Sequence, residues 1–174
     1  MMPPRALPCL HLRLMLLFAS AVALVAAPAL ARESLGLYAQ WGAFRDPVVP
    51  RCYAIAMAQP SAKARDTRPY ATVGTWPRRS VRNEVHIRLS RNIASGAPIF
   101  LRLGDQRFTL TGGGADAWAA SPTDNAAILA AMRSAPTMTA SSRDTKGLPF
   151  ADTWQLAGAA SAMDAALLGC ADLR

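Results

Sequence analysis

His86 is the sole histidine beyond residue 31, and a lone imidazole narrows the chemistry open to this chain. Nucleophilic hydrolysis needs a nucleophile, a base and a group that orients the base. No Gly-x-Ser-x-Gly elbow occurs, so a small hydrolase would have to run on His86 with an acid such as Glu84 or Asp105. Asp116 and Asp124 could flank a glycosidic bond only if the fold brought them together. Metal centres need clustered His, Cys or carboxylate ligands, and one histidine with two distant cysteines supplies no such spacing, so neither a metal nor a cofactor is expected. Gly112-Gly113-Gly114 lacks the downstream Lys-Ser/Thr of a phosphate loop and reads as a turn. Trp41, Trp76, Trp118 and Trp154 are dispersed as core residues are, rather than grouped as a stacking platform. The inventory points to a protein that is not an enzyme.

Charge is the other feature with chemical content. The formal net charge is +8, and residues 63 to 107 carry Lys63, Arg65, Arg68, Arg78, Arg79, Arg82, Arg88, Arg91, Arg102 and Arg107 against Asp66, Glu84 and Asp105. Arginine grips a carboxylate or phosphate with two parallel hydrogen bonds, which lysine cannot do. Arg78, Arg79, Arg82, Arg88, Arg102 and Arg107 are therefore the expected contacts for an anionic envelope component or a protein partner. The bland alternative is a solvated, compositionally basic surface.

The amino terminus supplies the address. Arg5, His11 and Arg13 lead into the apolar run Leu14 to Ala27, and Ala29-Leu30-Ala31 is a small-x-small cleavage site before Arg32. Residues 1–31 read as a secretory signal peptide, and residues 32–174 as one globular domain in the periplasm or outside the cell, with no integral membrane segment after cleavage. Export makes nucleic acid an unexpected partner for the basic segment. It also removes Cys9, leaving Cys52 and Cys170, which in an oxidising compartment should form one disulfide across 118 residues.

The elements that must position these groups are mostly strands. Trp41 to Phe44 and Cys52 to Met57 flank the loop Arg45 to Arg51, with Ser34 to Tyr38 as a lead-in and Pro60 to Arg68 as a polar loop. Tyr70 to Trp76 is aromatic and β-branched. Val85, Ile87 and Leu89 alternate with Glu84, His86, Arg88 and Ser90, predicting a strand with one buried and one wet face. Ile99 to Leu103 and Gln106 to Thr111 form a hairpin through Gly104-Asp105, and the triple glycine ends its second strand. Helical spacing predicts Pro122 to Ser134, capped at Thr123 or Asp124, and an Ala-rich helix over Ala159 to Leu168. Thr137 to Ser141 and Phe150 to Leu156 are strands joined by the turn Ser142 to Lys146. Seven or so short strands define a mainly β single domain, an antiparallel sandwich or barrel with one or two short helices.

This layout resembles the invasion-associated locus B family. The features that carry the likeness are the secretory signal, Trp41 ahead of Cys52, a small helix before the Thr137-Met138-Thr139 strand, and a last strand entering Leu156-Ala157-Gly158 and an Ala-rich helix. It extends over most of residues 36 to 171. The resemblance implies an exported, sandwich-like envelope protein with an accessory role and no enzymatic activity. Typical members carry further cysteines mid-domain, where this chain has none. A periplasmic or secreted enzyme inhibitor is the other non-catalytic expectation, since one disulfide-closed domain with exposed loops suffices.

Overall fold

The computed structural model describes residues 32–172, so the signal peptide expected over residues 1–31 lies outside the described residues. Ten strands follow in order: β1 (Glu33–Tyr38), β2 (Trp41–Asp46), β3 (Arg51–Met57), β4 (Tyr70–Trp76), β5 (Val81–Arg88), β6 (Ile99–Leu103), β7 (Gln106–Gly113), β8 (Asp116–Ala119), β9 (Thr137–Arg143) and β10 (Pro149–Gln155). Helix α1 (Pro122–Met132) separates β8 from β9, and α2 (Ala159–Gly169) closes the fold. All pairings are antiparallel, in the sheet order β1-β2-β3-β4-β5-β8-β7-β6-β9-β10. The mainly β fold class is the one the alternation predicts.

Such a long sheet coils on itself because each strand is twisted relative to its neighbour. Here the last strand returns to the first ones: Trp41 Nε1 donates to the Gln155 carbonyl at 2.8 Å, and Gln59 N donates to the Thr153 carbonyl at 2.7 Å. The enclosed core includes Val85, Ile87, Leu89, Leu101, Leu103, Met138 and the fully buried Trp41 and Trp154. Each large aliphatic side chain here contributes about 1.5–3 kcal/mol by leaving water.

Both helices lie against the sheet, α2 mostly through alanines and α1 through larger side chains. In α2 the buried residues Ala159, Ala162, Met163 and Ala166 recur at helical spacing, and the helix packs on β1, β2 and β3, whose inward residues include Ala43, Ala54 and Ala56. At its start Gly158 has φ +85°, and a Cβ there would collide with the Tyr38 carbonyl, so glycine is what lets α2 dock on the end of β1. At its end Cys170 is bonded to Cys52 on β3, the predicted disulfide. Helix α1 buries Ile128, Ala131 and Met132. Its cap is Ser121, two to three residues ahead of the expected Thr123 or Asp124: Ser121 Oγ accepts from Asp124 N at 3.0 Å, with Pro122 at the first helical position.

Three departures from the expected elements have local causes. Ser34 to Tyr38, read as a lead-in, belong to β1 because β2 offers them a free ladder edge. β7 ends within the triple glycine, as expected, but runs two residues into it, to Gly113, before turning through Gly114 into β8, a strand with no advance signal. A Cβ at Gly112 would strike the Asp116 carbonyl and Ala117 Cα, so the glycine permits that close pairing. Finally, the polar loop after β3 is strapped down. Arg65 donates to the Gln59 carbonyl at 2.6 Å and faces buried Asp152 at 3.5 Å, while Arg91 bridges the Ala64 carbonyl and buried Asp144.

Candidate functional site

The core-facing sides of β3, β4, β5 and β8 carry Ala54, Ala56, Ala71, Val73, Val85, Ile87 and Ala117. Strand parity then turns the intervening residues outward, and register lines them up across the four strands. One row reads Ile55, Thr72, His86, Trp118; the next reads Met57, Tyr70, Arg88, Asp116 down to β8; Tyr53, Gly74 and Glu84 form a third. The inner face is thus aliphatic, built of Ala, Val and Ile, while Tyr53, Tyr70 and Trp118 stand on the outer one. Close packing of the inner face accounts for the small residues there. Nothing in core packing accounts for the aromatic ones outside.

Those outward residues line a cleft of about 410 Å³ with Arg32, Arg51, Tyr53, Ile55, Tyr70, Thr72, Trp76, Glu84, His86 and Trp118 around it. That volume falls within the roughly 300–1,000 Å³ of small-ligand sites. His86 sits between two rings, 5.0 Å from Trp118 and 5.8 Å from Tyr70 between centroids. Its Nε2 meets Asp116 Oδ1 at 2.9 Å, and Arg88 Nη1 holds the other oxygen of the same carboxylate at 2.5 Å. Because a carboxylate only accepts, Nε2 carries the proton and the ring is oriented by Asp116. At the opposite side Arg51 and Arg32 lie 4.9 and 5.6 Å from the Tyr53 ring centre. Burial pushes the Tyr53 hydroxyl above its ordinary value, opposed by those two guanidiniums. Asp46 is held below the ordinary carboxylate value, first by the hydrogen bond from Val49 N and further by Arg51 and Arg32. On the floor, a Cβ at Gly74 would strike the Trp76 ring, so the glycine gives that indole its place.

The residues anticipated from sequence fall in several places. Arg78 and Arg79 are exposed in the short 3-10 turn after Trp76, and Arg82 is exposed at the start of β5, all at the hairpin end of the cleft. Arg88 is committed to Asp116. Arg102 and Arg107 face each other across the β6–β7 hairpin, where Arg107 stacks on Phe100 at 3.7 Å, and β8 lies between this hairpin and β5 in the sheet. The six arginines therefore divide into two hairpin groups and one ion-paired residue. The carboxylate at His86 is Asp116 rather than Glu84 or Asp105; Glu84 lines the cleft and Asp105 is exposed in the β6–β7 turn. Asp124 is occupied at the α1 cap by Ser121. Among the described residues no group of three or more His, Cys, Asp or Glu side chains is placed to hold a metal ion, and no helix is long and apolar enough to cross a membrane.

Trp76 and Trp118, read as core, are at this cleft instead, with Tyr53 and Tyr70; only Trp41 and Trp154 are wholly buried. The signal was present in parity. Tyr70, Thr72 and Trp76 alternate with Ala71, Val73 and Thr75, and assigning the small residues inward would have turned the aromatics out. No protein-family model matches the chain, and neither curated proteins nor solved structures show a significant likeness to it.

Proposed function

We propose that this chain is an exported, non-catalytic envelope accessory protein of the invasion-associated locus B kind, whose cleft on β3, β4, β5 and β8 binds an envelope component. The observation that carries the reading is the outward aromatic face. Tyr70, Trp76 and Trp118 are only partly covered, and His86 is fixed between two of these rings by the Asp116–Arg88 pair. Leaving such rings in water costs stability, which binding a ligand there would recover. Arg78, Arg79 and Arg82 at the hairpin end supply a positive field that would draw an anionic surface toward the cleft. The Cys52–Cys170 bond supports an oxidising compartment, and cleavage before Arg32 would leave every described element intact.

The test is fractionation of cells expressing the full chain. The Trp76→Ala/Trp118→Ala variant should shift from the envelope fraction to the soluble one, and Arg78→Ala/Arg79→Ala/Arg82→Ala should do so in a salt-sensitive way. Unchanged distribution of both variants would refute the assignment. The His86–Asp116 pair favours a second reading, a hydrolase with Thr72 directly across from His86 in register. Loss of a hydrolytic activity in His86→Ala, with envelope association intact, would select it.

A further inference from the structure

We infer that the cleft is a saccharide site; this rests on the binding reading above and names its ligand class. A pyranose ring presents a patch of C–H groups on its face and a perimeter of hydroxyls that both donate and accept. The cleft offers the complement of each. Trp118, Tyr70 and Trp76 provide partly accessible ring surface. Arg32, Arg51 and Thr72 provide donors, and Glu84 provides a carboxylate acceptor, all around the same cavity. The Arg88–Asp116–His86 chain of hydrogen bonds holds the imidazole against Trp118, so part of this surface is ordered before a ligand arrives.

Other ligand chemistries fit less well. An organic cation would meet two guanidiniums already stacked over Tyr53. A peptide joining the sheet needs an unpaired edge, and β3, β4, β5 and β8 are all paired on both sides. An acyl chain would bury the Glu84 carboxylate with nothing to hydrogen-bond it and would offer no acceptor to Arg32 or Arg51. A sugar satisfies the polar groups and covers the rings together. Charges of both signs at the cavity leave room for a neutral or an acidic saccharide.

Titration of the full chain with two probes, an N-acetylglucosamine tetramer and a galacturonate tetramer, tests this, with adenosine monophosphate, which offers an aromatic base and a phosphate but no pyranose, as the comparison. The readout is the four indole N–H resonances. At least one tetramer at millimolar concentration should move the Trp76 and Trp118 signals and leave those of buried Trp41 and Trp154 in place. Trp118→Ala and, as a gentler change, Glu84→Gln should each weaken that binding about tenfold or more, with the remaining indole spectrum confirming the fold. The inference is overturned if neither tetramer moves the two signals, if the shifts survive both substitutions, or if the nucleotide moves them as strongly. Envelope association that still depends on Trp76 and Trp118 while both tetramers fail would sink the saccharide assignment and leave the binding reading standing.

Discussion

Reducing the Cys52–Cys170 bond should cost this domain a large part of its stability. The bond closes 118 residues of chain, joining β3 to the end of α2. In the chain-entropy treatment a loop of that length removes about 16 cal/mol/K from the unfolded ensemble, or about 5 kcal/mol at 25 °C. Both cysteines are buried, so reduced thiols stay in place in the folded state and the change falls mainly on the unfolded chain. At about 3 °C per kcal/mol for a domain of this size, the melting temperature should fall by about 15 °C. The assay is thermal and urea unfolding with and without dithiothreitol, followed by tryptophan fluorescence and circular dichroism. A larger urea slope should accompany the fall, because the unlinked chain exposes more surface on unfolding. Cys52→Ala/Cys170→Ala should melt near the reduced protein and ignore the reductant. Superimposable melts of oxidised and reduced protein would refute the reasoning, as would a double variant that still responds to reductant.

Two further outcomes follow from the buried carboxylates. Asp152→Ala should destabilise by about 3–5 kcal/mol in urea, because it strands Ser90 N, which donates to Asp152 Oδ2 at 2.8 Å, and leaves Arg65 without its carboxylate; a loss below about 1 kcal/mol would contradict that account. Asp144 is the pH-sensitive one: burial pushes its carboxyl up, but hydrogen bonds from Leu148 N and Lys146 N and the Arg91 charge outweigh it and hold the group below the ordinary 3.8. The stability it confers is then complete above that ordinary value and lost as pH falls through 3.8 toward the folded value, so urea midpoints should drop in this range and Asp144→Asn should flatten the drop; an unchanged slope would count against it.

The arginines of the middle segment illustrate what composition can and cannot say. Their abundance is plain in the sequence, yet Arg65, Arg88 and Arg91 are used internally against Asp152, Asp116 and Asp144. The acids that claim them lie 28 to 87 residues further along the chain. A count of charges cannot see such pairings, because they depend on which strands become neighbours. The exposed Arg78 and Arg79 lie on a turn that Pro77 marks in the sequence, and Arg82 follows at the start of β5.

By itself, the sequence determined what is written within a few residues. Alternation in Val85–Leu89 specified a strand and its buried side, spacing in Ala159–Ala166 specified a helix and its packed face, and the pair of cysteines left after residue 31 specified the bridge. Tertiary structure decided the site. It brought Trp118 and Asp116 from an unpredicted strand beside His86, and Tyr53 and Tyr70 onto the same face, by fixing the register of β3, β4, β5 and β8. Period and turn chemistry act along the chain, and register is settled only when the sheet closes over its buried face and packs against α1 and α2. The cleft is the outer surface of that choice.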